Sequence, residues 1–99
     1  MKIVDKIGEP EVLAQLAEEA AELAQAALKL RRAITGVNPT PLSEEDCRHH
    51  VTEEIADVEL CLALLNLSTK EERAAQSSII NRKLNRWMRR LEKGCRDAG

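Results

Sequence analysis

The stretch LAEEAAELAQAAL at residues 16–28 decides the fold, and VTEEIADVELCLALL at residues 51–65 answers it. Both are dominated by residues that lose little freedom in a helix, and neither contains Gly or Pro. Their apolar positions recur every three or four residues, the helical period. Working outward, Glu9-Pro10 opens the first helix with Pro at an early position, and Gly36 follows its end at about Thr35. The segment GVNPTPL, residues 36–42, carries two prolines and cannot be helical. Ser43 then caps a second helix, with Glu44, Glu45 and Asp46 in its positive first turn. Ser68 and Thr69 close that helix and open a third, where Thr69-x-x-Glu72 has capping-box spacing. The third runs to about Lys93, with Gly94 as its natural stop. No strand pattern competes. The expected structure is all-α, an antiparallel helical bundle forming one domain over residues 1–99.

Inside the two opening stretches lies an echo. Ala17-Glu18-Glu19-Ala20-Ala21-Glu22-Leu23 returns 35 residues later as Thr52-Glu53-Glu54-Ile55-Ala56-Asp57-Val58. At about 100° per residue, Val12, Leu16, Leu23, Ala27, Leu30 and Ile34 make the apolar stripe of the first helix. Glu19 falls inside it, and Glu22 lies roughly 60° to its side. On the second helix Val51, Ile55, Val58, Leu62 and Leu65 make the stripe, with Glu54 inside and Asp57 beside it. A carboxylate among leucines is costly unless it is paired or coordinated. Four of them on packed helices repel one another, and protonate unless a cation lies between them. No lysine or arginine sits within the first helix's stripe to supply that charge.

A divalent ion held by Glu19, Glu22, Glu54 and Asp57 resolves the conflict. An all-oxygen donor set favours Mg²⁺ or Mn²⁺ over zinc. The competing reading puts Glu19 and Glu54 at the stripe edges, facing water or an arginine of the third helix. The repetition on the second helix argues against it. Glu18 and Glu53 point away from the stripes. The di-iron bundle pattern needs Glu-x-x-His on two helices, whereas here the third position after each inner glutamate is Glu22 or Asp57. His49 and His50 precede the acidic cluster and are expected at the surface or an interface, and Cys61 as a buried filler.

On the third helix Ile80, Leu84, Trp87 and Leu91 form the stripe, flanked by a column of Lys83, Arg86 and Arg90 that Asn81 precedes. Fixed cations beside a metal-loaded acidic cluster suit a polyphosphate chain, since guanidinium groups take phosphate oxygens two at a time. A solvated basic face, or ion pairs to acids of the first helix, is the plainer alternative. Trp87 is expected in the core or at an interface.

Hydrophobic residues make up 43% of the 99, yet aromatic content is 1%. A core of this kind is thin, so association into a homodimer or homotetramer is expected to complete it. The net charge of −2 offers no general attraction for a nucleic acid polymer. No membrane-length run and no signal-peptide pattern appears, and the three cysteines are odd in number with no paired short spacing. A cytoplasmic protein with reduced thiols is the expectation.

The two acidic motifs resemble the paired Glu-Glu-x-x-Glu and Glu-x-x-Asp signature of MazG-like all-α nucleotide pyrophosphohydrolases. INRKLNRWMRR, residues 80–90, is similar to that family's Asn-x-Lys-x-x-Arg stretch. The resemblance covers about residues 13 to 92. It implies a hydrolase that splits a nucleoside triphosphate into monophosphate and pyrophosphate. In it Glu19, Glu22, Glu54 and Asp57 hold Mg²⁺, and Asn81, Lys83 and Arg86 meet the phosphates, with Arg90 continuing their column. Glu18 or Glu53, the acids not engaged with metal, would assist in deprotonating water. The family usually has a fuller helix ahead of its first motif, where GEPEVLAQ here offers no aromatic. The alternatives are a phosphoribosyl-ATP pyrophosphatase, which shares the architecture, and a non-catalytic nucleotide-binding or helical adaptor relative.

Overall fold

The computed structural model describes residues 2–65 and 69–98, with side chains to residue 94. Those residues form four helices and no strand: α1 (Ile3–Ile7), α2 (Glu9–Thr35), α3 (Glu44–Leu65) and α4 (Lys70–Ala98). The fold is all-α. None of these helices is long and apolar enough to cross a membrane.

The expected punctuation operates at four of the five expected boundaries. Pro10 sits in the first turn of α2, and Gly36 ends that helix in the left-handed conformation at φ 73°, its N–H bonded to the Arg32 carbonyl. A side chain there would be strained, so glycine is required. The Ser43 hydroxyl accepts from the Asp46 N–H at 3.1 Å, which satisfies one of the open donors at the start of α3. Thr69 does the same for α4, accepting from the Glu72 N–H at 3.1 Å while its own hydroxyl donates to the Glu72 carboxylate. Ser68 lies outside the described residues. Two boundaries differ from the expectation. Gly94 does not stop α4, which continues to Ala98. A glycine ends a helix by turning left-handed, and Gly94 has no positive φ. The other is α1, a five-residue turn ahead of Gly8 that is too short to show a period.

The chain separates into two compact units, one holding α1 to α3 and the other α4. Within the first, α2 and α3 pack along each other and α1 rests against both. The pair is antiparallel. Val12 and Gln15, near the start of α2, share a cavity with Cys61 and Leu64 near the end of α3. Gln25, Ala26 and Lys29, further along α2, share another with Cys47 and His50 near the start of α3.

The seam between them is narrower than the stripes imply and rotated from them. Its buried residues are Val12 and Ala26 on α2, and Cys47, Cys61 and Leu65 on α3. Leu16, Leu23, Val51 and Val58 are half-buried, but Ala27, Ile34, Ile55 and Leu62 of the expected stripes are exposed. Three of the five buried residues, Ala26, Cys47 and Cys61, are small side chains outside the expected stripes. Val12 lines a cavity with Cys61 and Ala26 another with Cys47, so the fourteen-residue step up α2 matches a fourteen-residue step down α3. Halfway between these pairs stand Glu19 and Glu54.

Candidate metal centre

Glu19 lies seven residues after Val12 and seven before Ala26, and Glu54 lies seven after Cys47 and seven before Cys61. Both glutamates therefore occupy the middle of the seam. The buried Ala26, Cys47 and Cys61 flank them along the seam. Glu19, Glu22 and Glu54 each offer an oxygen, and those three oxygens lie within 4.8 Å of one another. Glu19 and Glu54 are half-buried, while Glu22 is exposed at the rim. Asp57, also exposed, stands outside this group.

The hydrogen bonding of these acids is incomplete. Gln15 donates from Nε2 to Glu19 Oε1 at 2.8 Å. Glu19 Oε2 and Glu54 Oε2 are both buried without any hydrogen-bond donor. A buried carboxylate oxygen normally finds a donor, because losing water without replacement costs about 1–3 kcal/mol or more. Two such oxygens in one cluster make the local balance unfavourable, and among the described residues no cationic side chain forms an ion pair with Glu19, Glu22 or Glu54. The donor set is all oxygen and partly negative, which fits a hard divalent ion such as Mg²⁺.

A cavity of about 380 Å³ opens beside the cluster, lined by Glu22, Gln25, Ala26 and Lys29 of α2 and by Cys47, His50, Glu53 and Glu54 of α3. Of the two outlying acids, Glu53 is on this wall, where it pairs with His49 Nε2 at 3.0 Å. Glu18 is exposed and does not line it. His50, which the sequence placed at the surface or an interface, turns out to line the cavity as well. Lys29 joins it, although nothing in the acidic motifs marks either residue. Their signal lay in helical spacing: Lys29 is seven residues after Glu22, and His50 four before Glu54. A larger space of about 700 Å³ lies at the opposite end of α3, among Lys2, Ile3, Asp5, Glu9 and Leu65, and touches none of the predicted site residues.

The α4 residues form their own pattern. Lys83, Arg86 and Arg90 follow one another on an exposed column of this continuous helix. Asn81 falls about 160° around the helix from Lys83, on the far side of the Ile80–Leu84–Trp87–Leu91 stripe. Trp87 itself is 65% exposed. Comparison of the chain with protein-family models, with curated proteins and with solved structures gives no match.

Proposed function

We propose that the chain is a Mg²⁺-dependent nucleotide pyrophosphohydrolase, splitting a nucleoside triphosphate into a monophosphate and pyrophosphate. One observation carries this reading: two buried, donor-less carboxylate oxygens from different helices, Glu19 Oε2 and Glu54 Oε2, in a cluster that Glu22 completes. Glu19, Glu22 and Glu54 would hold the ion. Asp57 keeps the offset from Glu54 that Glu22 keeps from Glu19, and is the fourth candidate. When bound, Mg²⁺ supplies polarisation of phosphoryl oxygens and a lowered pKa for a coordinated water. The protein's own part is to fix the carboxylates on rigid helices, with Gln15 orienting Glu19. Glu53, on the cavity wall, is better placed than Glu18 to accept a proton. Lys83, Arg86 and Arg90 are the α4 groups that would meet phosphate oxygens.

The same reading makes the protein a cytoplasmic homo-oligomer. Cys47 and Cys61 are free thiols. Ile34, Ile55, Leu62, Ile80, Leu84 and Leu91 are exposed apolar residues that a second copy would cover.

The test combines two measurements. Thermal melting is followed while Mg²⁺ is titrated, and pyrophosphate release is screened across the eight common nucleoside triphosphates. A rise in Tm with Mg²⁺, together with release from at least one substrate, supports the proposal. Indifference of Tm to Mg²⁺ sinks it and leaves a helical adaptor in its place. Stabilisation without turnover of any substrate would point to a binding relative.

A further inference from the structure

We infer that the cavity between α2 and α3 is a phosphate-binding slot, gripped by Lys29 and His50 at the end away from the acids. The inference rests on the pyrophosphohydrolase reading and adds to it hydrogen-bond donors within the same unit as the carboxylates.

Three observations support the assignment. The first is the lining. Glu22 and Glu54 belong to the carboxylate cluster, so whatever fills the cavity abuts the metal position. The remaining wall carries Lys29, the His50 imidazole and the Gln25 amide, all able to donate to an anion, together with Glu53, whose carboxylate is held by His49 at 3.0 Å. Its only apolar residues are Ala26 and Cys47, and no Phe, Tyr or Trp lines it. At about 380 Å³ the space is near the lower bound for ligand pockets, roughly 300–1,000 Å³. It suits a phosphate chain better than a nucleobase.

The second is that the donors are uncommitted. His49 and His50 each have a glutamate four residues on, within reach of an (i, i+4) bond. His49 uses its partner, Glu53, at 3.0 Å. His50 leaves Glu54 alone and faces the cavity instead. Among the described residues, neither His50 nor Lys29 makes a hydrogen bond or ion pair. The third observation is Arg32, three residues beyond Lys29 in the column that Glu22, Gln25 and Lys29 share. Its Nε is buried and has no acceptor. A charge-bearing donor left without a partner there extends the run of cations away from the acids. The α2 face thus grades from carboxylate to cation over a few turns, as a bridging metal–phosphate pair requires.

Inorganic pyrophosphate is the probe. Calorimetric titration into the wild-type protein, with and without saturating Mg²⁺, is compared with Lys29→Gln, His50→Gln and Lys29→Arg. All three changes are at exposed positions, so far-UV circular dichroism is expected to stay unchanged. Lys29→Gln and His50→Gln should each weaken pyrophosphate binding by about ten- to a hundredfold, the scale of a charge-assisted hydrogen bond. Lys29→Arg should restore most of the loss. The Mg²⁺-induced rise in Tm without pyrophosphate should be the same in all four proteins. Unchanged pyrophosphate affinity in Lys29→Gln and His50→Gln overturns the slot even if Mg²⁺ binding and turnover persist. Absence of pyrophosphate binding by the wild type overturns it too. A wild type whose Tm ignores Mg²⁺, but whose pyrophosphate binding depends on Lys29, would remove the metal reading and keep the slot.

Discussion

Glu19 and Glu54 are the same residue in the same position of two helices, yet they are held differently. Each is half-buried at the centre of the seam, and each has an Oε2 without a donor. Four residues before Glu19 stands Gln15, which fixes the other oxygen at 2.8 Å. Four before Glu54 stands His50, which makes no hydrogen bond or ion pair with it. One carboxylate is therefore oriented before any ligand arrives, and the other has both oxygens to give. A preset ligand contributes geometry at little ordering cost, while a free one can adjust to an incoming ion.

Breaking the free side should have the largest effect. Glu54→Gln removes one of the mutually repelling charges in the seam and one ligand. Turnover is expected to fall by on the order of 10²–10³ or more, the scale for deleting one preorganised charge-stabilising group. The apo-protein should melt several degrees higher, because relief of about 1 kcal/mol shifts a domain of this size by roughly 4–8 °C. Lost activity with lowered apo-stability would instead mark Glu54 as a structural ion-pair partner, ending its assignment as a ligand.

Loosening the preset side should cost less. Gln15→Leu keeps the bulk and removes the donor, and the Mg²⁺ affinity read from Tm titrations should drop about 10- to 100-fold, as for other residues that orient a ligand. An unchanged affinity would show that the seam alone aims Glu19. Asp57→Asn probes the matching asymmetry between Glu22, inside the carboxylate group, and Asp57, outside it. Its effect on Mg²⁺ affinity should be smaller than that of Glu22→Gln, and the reverse order would move Asp57 into the set. The smallest effect is expected from Ile55→Ser. That residue is 42% exposed, so the change should stay within about 0.5 kcal/mol by denaturant melts under conditions that keep the chain monomeric. A larger loss would return Ile55 to the seam.

That last comparison shows where the sequence was legible and where it was not. Caps at Ser43, Thr69 and Gly36 act through bonds to neighbours a few residues away, so local spacing suffices to find them. The meeting of Glu19, Glu22 and Glu54 was legible because a repeated pattern on two helices constrains both at once. The rotation of the seam was not. A stripe fitted by hydrophobicity favours Ile34, Ile55 and Leu62 over Ala26, Cys47 and Cys61, but close helix approach favours the small residues. Lys29 and His50 were missed for a related reason. Their place on the cavity wall depends on which turns of α2 and α3 face each other, and that is a property of pairing.

Antiparallel pairing with one common step also has a consequence for symmetry. By position along the two helices, Val12 corresponds to Cys47 and Ala26 to Cys61, with Glu19 and Glu54 midway, so the pairing approximates exchange about a two-fold axis. A single spherical ion is indifferent to such an axis and can lie on it. A phosphate chain has two unlike ends and cannot. Its polarity must be read from whatever breaks the equivalence, and in this hairpin that means Gln15 against His50, and Glu22 against Asp57. On the proposed function, the direction in which a phosphate chain would lie along the seam would be set by those mismatched pairs and by the different hold on Glu19 and Glu54.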